Sequence, residues 1–200
     1  MGRLEKLREK IGVLYERKDP NRADWADWLY AHHIFVVADN ATRLARRFGA
    51  NPELATAAGM LHDIADAEMK RDNPHHEERS LEIARALLAE VGFTPEEIAV
   101  VVDDAIKHHG CHGGKAPTTL EGKVMAAADA LAHLTREFYD HAVETFRDQK
   151  ESVEDIRRWV FSKLERDFNN KLCFEELQKE MRPGYEQLKE FYTSQLSGIT

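Results

Sequence analysis

The stretch ELATAAGMLHDIAD, Glu53 to Asp66, decides how the rest of the chain is read. It opens behind Asn51-Pro52, an N-cap followed by proline at the first helical position. Ala, Leu and Met then follow with almost no polar interruption, so the helix is largely buried. At its end stand His62 and Asp63, side by side. A buried charge is costly unless it is paired or bound to a metal. The remainder of the chain must therefore supply partners for this pair.

On both sides the periodicity is helical. Leu4, Leu7, Ile11 and Leu14 make one apolar stripe, and a turn follows at Lys18-Asp19-Pro20-Asn21. A long helical segment runs through HHIFVVADNATRLARRFG, with Val37, Ala41, Leu44 and Phe48 on one face and Gly49 as its stop. After a polar loop over 66–74, residues 76–91 read as a helix with Leu81, Ala84, Leu87 and Leu88 inward. Thr94-Pro95-Glu96-Glu97 caps the next one, which runs to His109. GCHGGKAPTT is a loop, and residues 119–138 are helical again. The last third is helical with breaks near 150–152, 169–170 and Pro183-Gly184. No run alternates as a strand would. The expectation is an all-α fold: an N-terminal helix over 1–20, a helical bundle over 21–138 and extra C-terminal helices over 139–200.

Hydrophobic residues make up 42% of the 200 and charged residues 32%, the balance of a globular protein rather than a disordered one. The net charge of −8 argues against a duplex nucleic acid partner, which favours a basic face. Two cysteines, Cys111 and Cys173, exclude a disulfide framework and suit a reducing compartment. The charged N-terminus is no signal peptide, and no run of about 18 apolar residues exists to span a membrane. A cytoplasmic location is expected.

All ten histidines lie between His32 and His141. A histidine on an apolar face is ordinarily a satisfied core residue. Here carboxylates accompany them. His33 lies on the same face as Val37. Asp129 sits in KVMAAADALAHL, an alanine-rich helix that packs closely, with Lys123 six residues before it and Arg136 seven after. Two imidazoles and two carboxylates from three helices can converge between those helices, as metal sites of helical bundles do. Adjacent His62 and Asp63 point about 100° apart, so they share an ion only over the helix end or with neighbouring helices wrapped around it. A mixed imidazole and carboxylate set suits Mn²⁺, Fe²⁺, Co²⁺, Ni²⁺ or Mg²⁺. Closed zinc sites favour cysteine, and the HHGCHGG segment, with His109, Cys111 and His112, is a poor match to one.

With these residues in place, the chain resembles the HD-domain superfamily of metal-dependent phosphohydrolases, an all-α family. The matching text is HHIFVVADNATRLA, AAGMLHDIAD and AAADAL, spanning about residues 28 to 135. The resemblance implies a divalent metal on His33, His62, Asp63 and Asp129; either His32 or His33 can fill the first position, and His33 is favoured because Val37, Ala41 and Ala45 then fall at the family's helix spacing, leaving His32 beside it as a substrate contact. It gives Asp66, three residues after Asp63, the task of orienting or deprotonating the attacking water; several members have Glu there. Two readings of the remaining histidines stay open. Either His76 (or His75) and His109 hold a second metal ion, or there is one ion and the histidines, with Lys107, bind phosphate.

The implied chemistry is hydrolysis of a small phosphorylated substrate, a nucleotide or another metabolite. Asp63 and Asp66 serve the metal-bound water, and Lys70, Lys107, His108 and Lys115 meet the phosphoryl oxygens. The alternatives are a di-iron oxygenase on the same scaffold and a non-catalytic, metal-stabilised binding module. The aromatic series Trp159, Leu164, Phe168, Leu172, Phe174 and Leu177 reads as helix packing, or else as a homodimer face or lid. Trp25 and Trp28 read as core anchors.

Overall fold

The helix that carries the opening motif, α4 (Pro52–Leu61), is buried at every position from Leu54 to Leu61. Asn51 caps it, its side-chain oxygen accepting from the amides of Glu53 and Leu54. A helix apolar all round needs neighbours on all sides, and the structure, a computed structural model, supplies them in a unit ending at Asp129. Residues 1–197 are described, and among them there is no strand.

The main neighbour is α3 (Ile34–Phe48), which buries Val37, Ala38, Ala41, Leu44 and Ala45. Gly59 brings the two helices together: a Cβ at this position would lie 3.0 Å from the Ala38 Cα. The single long helix expected before Gly49 is two. The first, α2 (Ala26–His32), ends at His33, whose backbone (φ −123°, ψ −58°) bends the chain into α3. Hydrogen bonds persist on both sides, from His33 N to Leu29 O and from Val37 N to His33 O, each 2.9 Å.

In α1 (Arg3–Glu16) the buried positions are Leu7, Ile11 and Tyr15; Tyr15 takes the inward place expected of Leu14. Arg3 fastens this helix by donating to both Glu53 and Glu97. In α5 (His76–Glu90), Ile83, Ala84 and Leu88 are buried, whereas Leu81 and Leu87 are only half-buried. The Thr94–Glu97 capping box starts α6 (Pro95–Ile98). This helix does not continue as α: it widens into a π-helical stretch over Ala99–Ile106, leading to His108 and His109. Such stretches are rare and often lie at functional sites.

The next helix, α7 (Leu120–His133), is held at its start by Asp104. That carboxylate accepts from the amides and hydroxyls of both Thr118 and Thr119. Thr119 in turn accepts from the Gly122 amide at 3.1 Å. Every residue from Val124 to Ala130 is then buried, as the alanine-rich sequence demands.

The second unit runs from Ala130 onward, so the division falls inside α7. The helix expected over 119–138 ends at His133. Thr135 caps a new one, α8 (Arg136–Asp148), accepting from the Phe138 amide. Next are α9 (Val153–Arg166), a π-helical turn over Asp167–Lys171, and α10 (Glu175–Gln195). The break expected at Pro183-Gly184 does not occur: α10 passes through it, its buried face of Leu177, Tyr185, Leu188 and Tyr192 continuing on both sides. Leu164, Phe168, Leu172 and Leu177 are buried, and Phe168 stacks on Tyr185 with ring centres 4.1 Å apart. The series therefore packs within its own unit. No helix among the described residues is long and apolar enough to cross a membrane.

Candidate metal centre

The bend at His33, the end of α4 and the middle of α7 bring three buried side chains together. His33, His62 and Asp129 each offer one donor atom, all within 4.8 Å of one another. The His33 Nε2 is 3.2 Å from Asp129 Oδ1, and the His62 Nε2 is 3.7 Å from the same oxygen. All three residues are at most 2% exposed. Burial pushes the His33 imidazole below its ordinary pKa, only partly opposed by Asp129, which keeps the ring neutral as a ligand must be.

His62 supplies the test of fit. Its Nδ1 lies 2.9 Å from the Gly59 carbonyl oxygen. A carbonyl only accepts, so Nδ1 carries the hydrogen and Nε2 presents its lone pair. That Nε2 is buried and has no hydrogen-bond partner. An orphaned imidazole nitrogen facing a second imidazole and a carboxylate is what a bound divalent cation satisfies. The residues fit the ion that the motif implies.

Asp63 borders this group on its more open side. Its carboxylate lies 3.8 Å from His62 Nε2 and, through the other oxygen, 3.8 Å from His109 Nε2. His109 is oriented like His62, with its Nδ1 hydrogen donated to the Ile106 carbonyl at 2.6 Å. Burial alone would raise the Asp63 pKa. Arg71, then His62, His109 and His76, outweigh it and hold the carboxyl far below the usual range.

Asp66 is 1% exposed and gripped on both oxygens. Arg71 donates from Nε to Oδ1 at 2.9 Å and from Nη2 to Oδ2, and His76 Nε2 stands 3.0 Å from Oδ1. Burial lowers the His76 pKa, but the Asp66 hydrogen bond and the Asp63 charge reverse that and raise it. The buried Tyr15 hydroxyl is pushed up by burial and by the Asp66 charge.

The other expected contacts stand further out. His32 is exposed and stacks on Trp28, ring centres 5.4 Å apart. Lys70 is paired with Asp24. Lys107 and Lys115 are exposed and His108 half-buried. His75 is exposed and faces Glu78. Among the described residues, His109, Cys111 and His112 do not form a ligand group. Trp25 and Trp28 are half-buried.

Sequence reading missed Arg71, which lies in the polar loop after Asp66 and reaches both Asp63 and Asp66. Periodicity says nothing about where a loop side chain reaches. The available signal was a cation a few residues beyond two acids that needed one.

Comparison with known proteins identifies the family. The chain is 31% identical over 124 residues to Ribonuclease Y of Bacillus pumilus, covering 62% of this chain and 22% of that protein. For Ribonuclease Y of Alkaliphilus metalliredigens the identity is 32% over 124 residues, with 62% and 24% covered. The chain thus spans less than a quarter of the length of these relatives. A solved structure described as a "predicted HD superfamily hydrolase", from an uncultured Thermotogales bacterium, superposes with a TM-score of 0.56 at 26% identity. It covers 94% of this chain and 91% of its own. The HD domain family pattern matches residues 30–134, from the helix before His33 to the end of the helix bearing Asp129, and the chain belongs to the HD domain family.

Proposed function

We propose that the protein is a metal-dependent phosphohydrolase acting on a nucleotide or another small phosphorylated metabolite. One observation carries this reading: the buried, partnerless His62 Nε2 set against His33 and Asp129, with Asp63 bordering them. His33, His62 and Asp129, all buried, would hold a divalent ion, with Asp63 beside them. The ion would supply a water of lowered pKa and positive charge against the phosphoryl oxygens. Asp63, whose side chain is 22% exposed, marks the side from which substrate enters.

Proton handling falls to Asp66 acting through His76. The His76 Nε2 hydrogen is donated to Asp66 Oδ1, leaving Nδ1 as the acceptor for a proton from water. The carboxylate then steadies the imidazolium, the logic of an acid behind a catalytic histidine. The Ribonuclease Y relatives point by name to RNA and not to a small metabolite, so the phosphodiesters of short RNA stand beside nucleotides among the substrates to be tested. The net charge of −8 favours a short substrate over a long polyanion.

The test is phosphate or nucleotide release from nucleoside phosphates, small phosphoesters and short RNA. Each is assayed with Mn²⁺, Mg²⁺, Co²⁺ or Ni²⁺, beside Asp129→Ala. Metal-dependent turnover that vanishes in the variant is expected. A folded, metal-loaded protein that hydrolyses nothing refutes the proposal; bound iron with oxygen consumption would then identify an oxygenase, and neither activity a binding module.

A further inference from the structure

We propose that the guanidinium of Arg71 is the second cation of this centre, seated between Asp63 and Asp66, so that the protein binds one divalent ion and not two. On the same geometry, its remaining Nη1 group donates to a phosphoryl oxygen of the substrate. This rests on the phosphohydrolase reading above and deepens it.

The seat is defined by four side chains. Asp63 with His109 and Asp66 with His76 are the two pairs from which a second ion would draw its ligands; among the described residues they form no ligand group of their own, and Arg71 spans the two carboxylates. Its Nη2 is 3.0 Å from Asp63 Oδ2 and also donates to Asp66 Oδ2, while Nε donates to Asp66 Oδ1. The Trp25 ring backs the guanidinium at 5.6 Å from its centre. Two carboxylates and an aromatic face thus fix an arginine whose charge is permanent.

Charge balance points the same way. The centre contains three carboxylates, those of Asp63, Asp66 and Asp129. One guanidinium and one divalent ion neutralise them. A second divalent ion added to these would leave two uncompensated positive charges in a largely buried cluster, which is unfavourable. For such an ion to enter, Arg71 must leave.

The planarity of the guanidinium sets its second task. The Nε–Nη2 edge is spent on Asp66, and Nη2 is shared with Asp63. Among the described residues, Nη1 has no hydrogen-bond partner, and 35% of the side chain is exposed. Its donors therefore remain for an anion arriving beside Asp63. The two Nη1 hydrogens can thus serve one phosphoryl oxygen through a charge-assisted hydrogen bond, which is stronger than a neutral one.

The experiment uses the full chain and two probes, Mn²⁺ and inorganic phosphate. Calorimetric titration and elemental analysis count Mn²⁺, electron paramagnetic resonance tests whether bound ions are coupled, and phosphate is titrated into the Mn²⁺-loaded protein. The parent should bind one uncoupled Mn²⁺. Arg71→Ala should admit a second, with the spectrum of a coupled pair, and lose phosphate affinity on the order of tenfold or more. Arg71→Lys keeps the charge but not the fork, so it should still bind a single ion while phosphate affinity falls severalfold. Should Arg71→Ala fail to fold, the parent stoichiometry and Arg71→Lys decide. Two Mn²⁺ ions in the parent, or phosphate affinity unaltered in the folded variants, overturns the assignment to Arg71. A parent that hydrolyses phosphoesters with two ions overturns this inference alone. A parent that binds no ion refutes the phosphohydrolase reading itself.

Discussion

Gly59 is where packing and chemistry meet, and Gly59→Ala tests the link. An alanine Cβ there would sit 3.0 Å from Ala38 Cα, 3.1 Å from Ala38 N and 3.3 Å from the Val37 carbonyl carbon. All three are backbone atoms of α3, so no side chain can swing away, and the helices must part by several tenths of an ångström. Overpacking of this kind costs about 1–3 kcal/mol. Alanine recovers about 1 kcal/mol through its higher helix propensity. The net loss is about 0–2 kcal/mol, a fall in Tm of up to roughly 8 °C for a chain of this size.

The larger effect falls on the metal. The Gly59 carbonyl accepts the His62 Nδ1 hydrogen, and His33 stands at the start of α3. Separating α3 from α4 therefore separates His33 from His62 and disturbs the bond that fixes the His62 ring. Losing such support lowers metal affinity by about 10–100-fold. Mn²⁺ titration by calorimetry, with thermal melts of the metal-free protein, measures both effects. Gly184→Ala is the control. Its Cβ meets nothing within 4 Å, so it should stabilise α10 by about 0.5–1 kcal/mol and leave Mn²⁺ affinity unchanged. If Gly59→Ala is as stable as the parent and binds Mn²⁺ equally well, close approach of α3 and α4 does not hold the centre together.

Two further predictions concern buried or bonded carboxylates. Burial would raise the Asp104 pKa, but the hydrogen bonds from Thr119 and Thr118 win and lower it; its stabilisation is therefore present above the unfolded-state pKa of about 3.9 and lost as pH falls through the folded value. Asp104→Ala should cost about 1–2 kcal/mol, discounted because the site is partly exposed, and should speed hydrogen exchange at the Thr118 and Thr119 amides. In the second unit, Asp167 is fully buried beside His133, Lys163 and Lys171. Burial opposes its ionisation, but Lys163 first and then His133 hold it ionised, well below the usual carboxylate range. Asp167→Asn should cost about 3–5 kcal/mol at neutral pH. Because this depressed pKa makes the parent lose stability as pH falls, denaturant unfolding should show a shallower acid decline in the variant; equal declines would place the acid sensitivity elsewhere.

The all-α class, the HD resemblance and the polar groups His62 and Asp129 in apolar helices were legible in the sequence; His33 was preferred to its neighbour His32 through the resemblance. Their signals are local: a helix apolar on every face, a polar pair at its end and an acid among alanines admit few physical solutions. Other features depend on contacts between segments distant along the chain. Periodicity continues across His33, so the bend between α2 and α3 is invisible until α3 must lie against α4 while His33 faces Asp129. Proline and glycine at 183–184 read as a break, yet the buried face of α10 carries the helix through them. Arg71 sits in a loop whose sequence carries no period, and its choice of Asp63 and Asp66 was settled only by the folded chain. The sequence alone thus determined which residues must be satisfied, because burial follows from pattern; the tertiary structure decided what satisfies them, because a partner is a matter of distance in space.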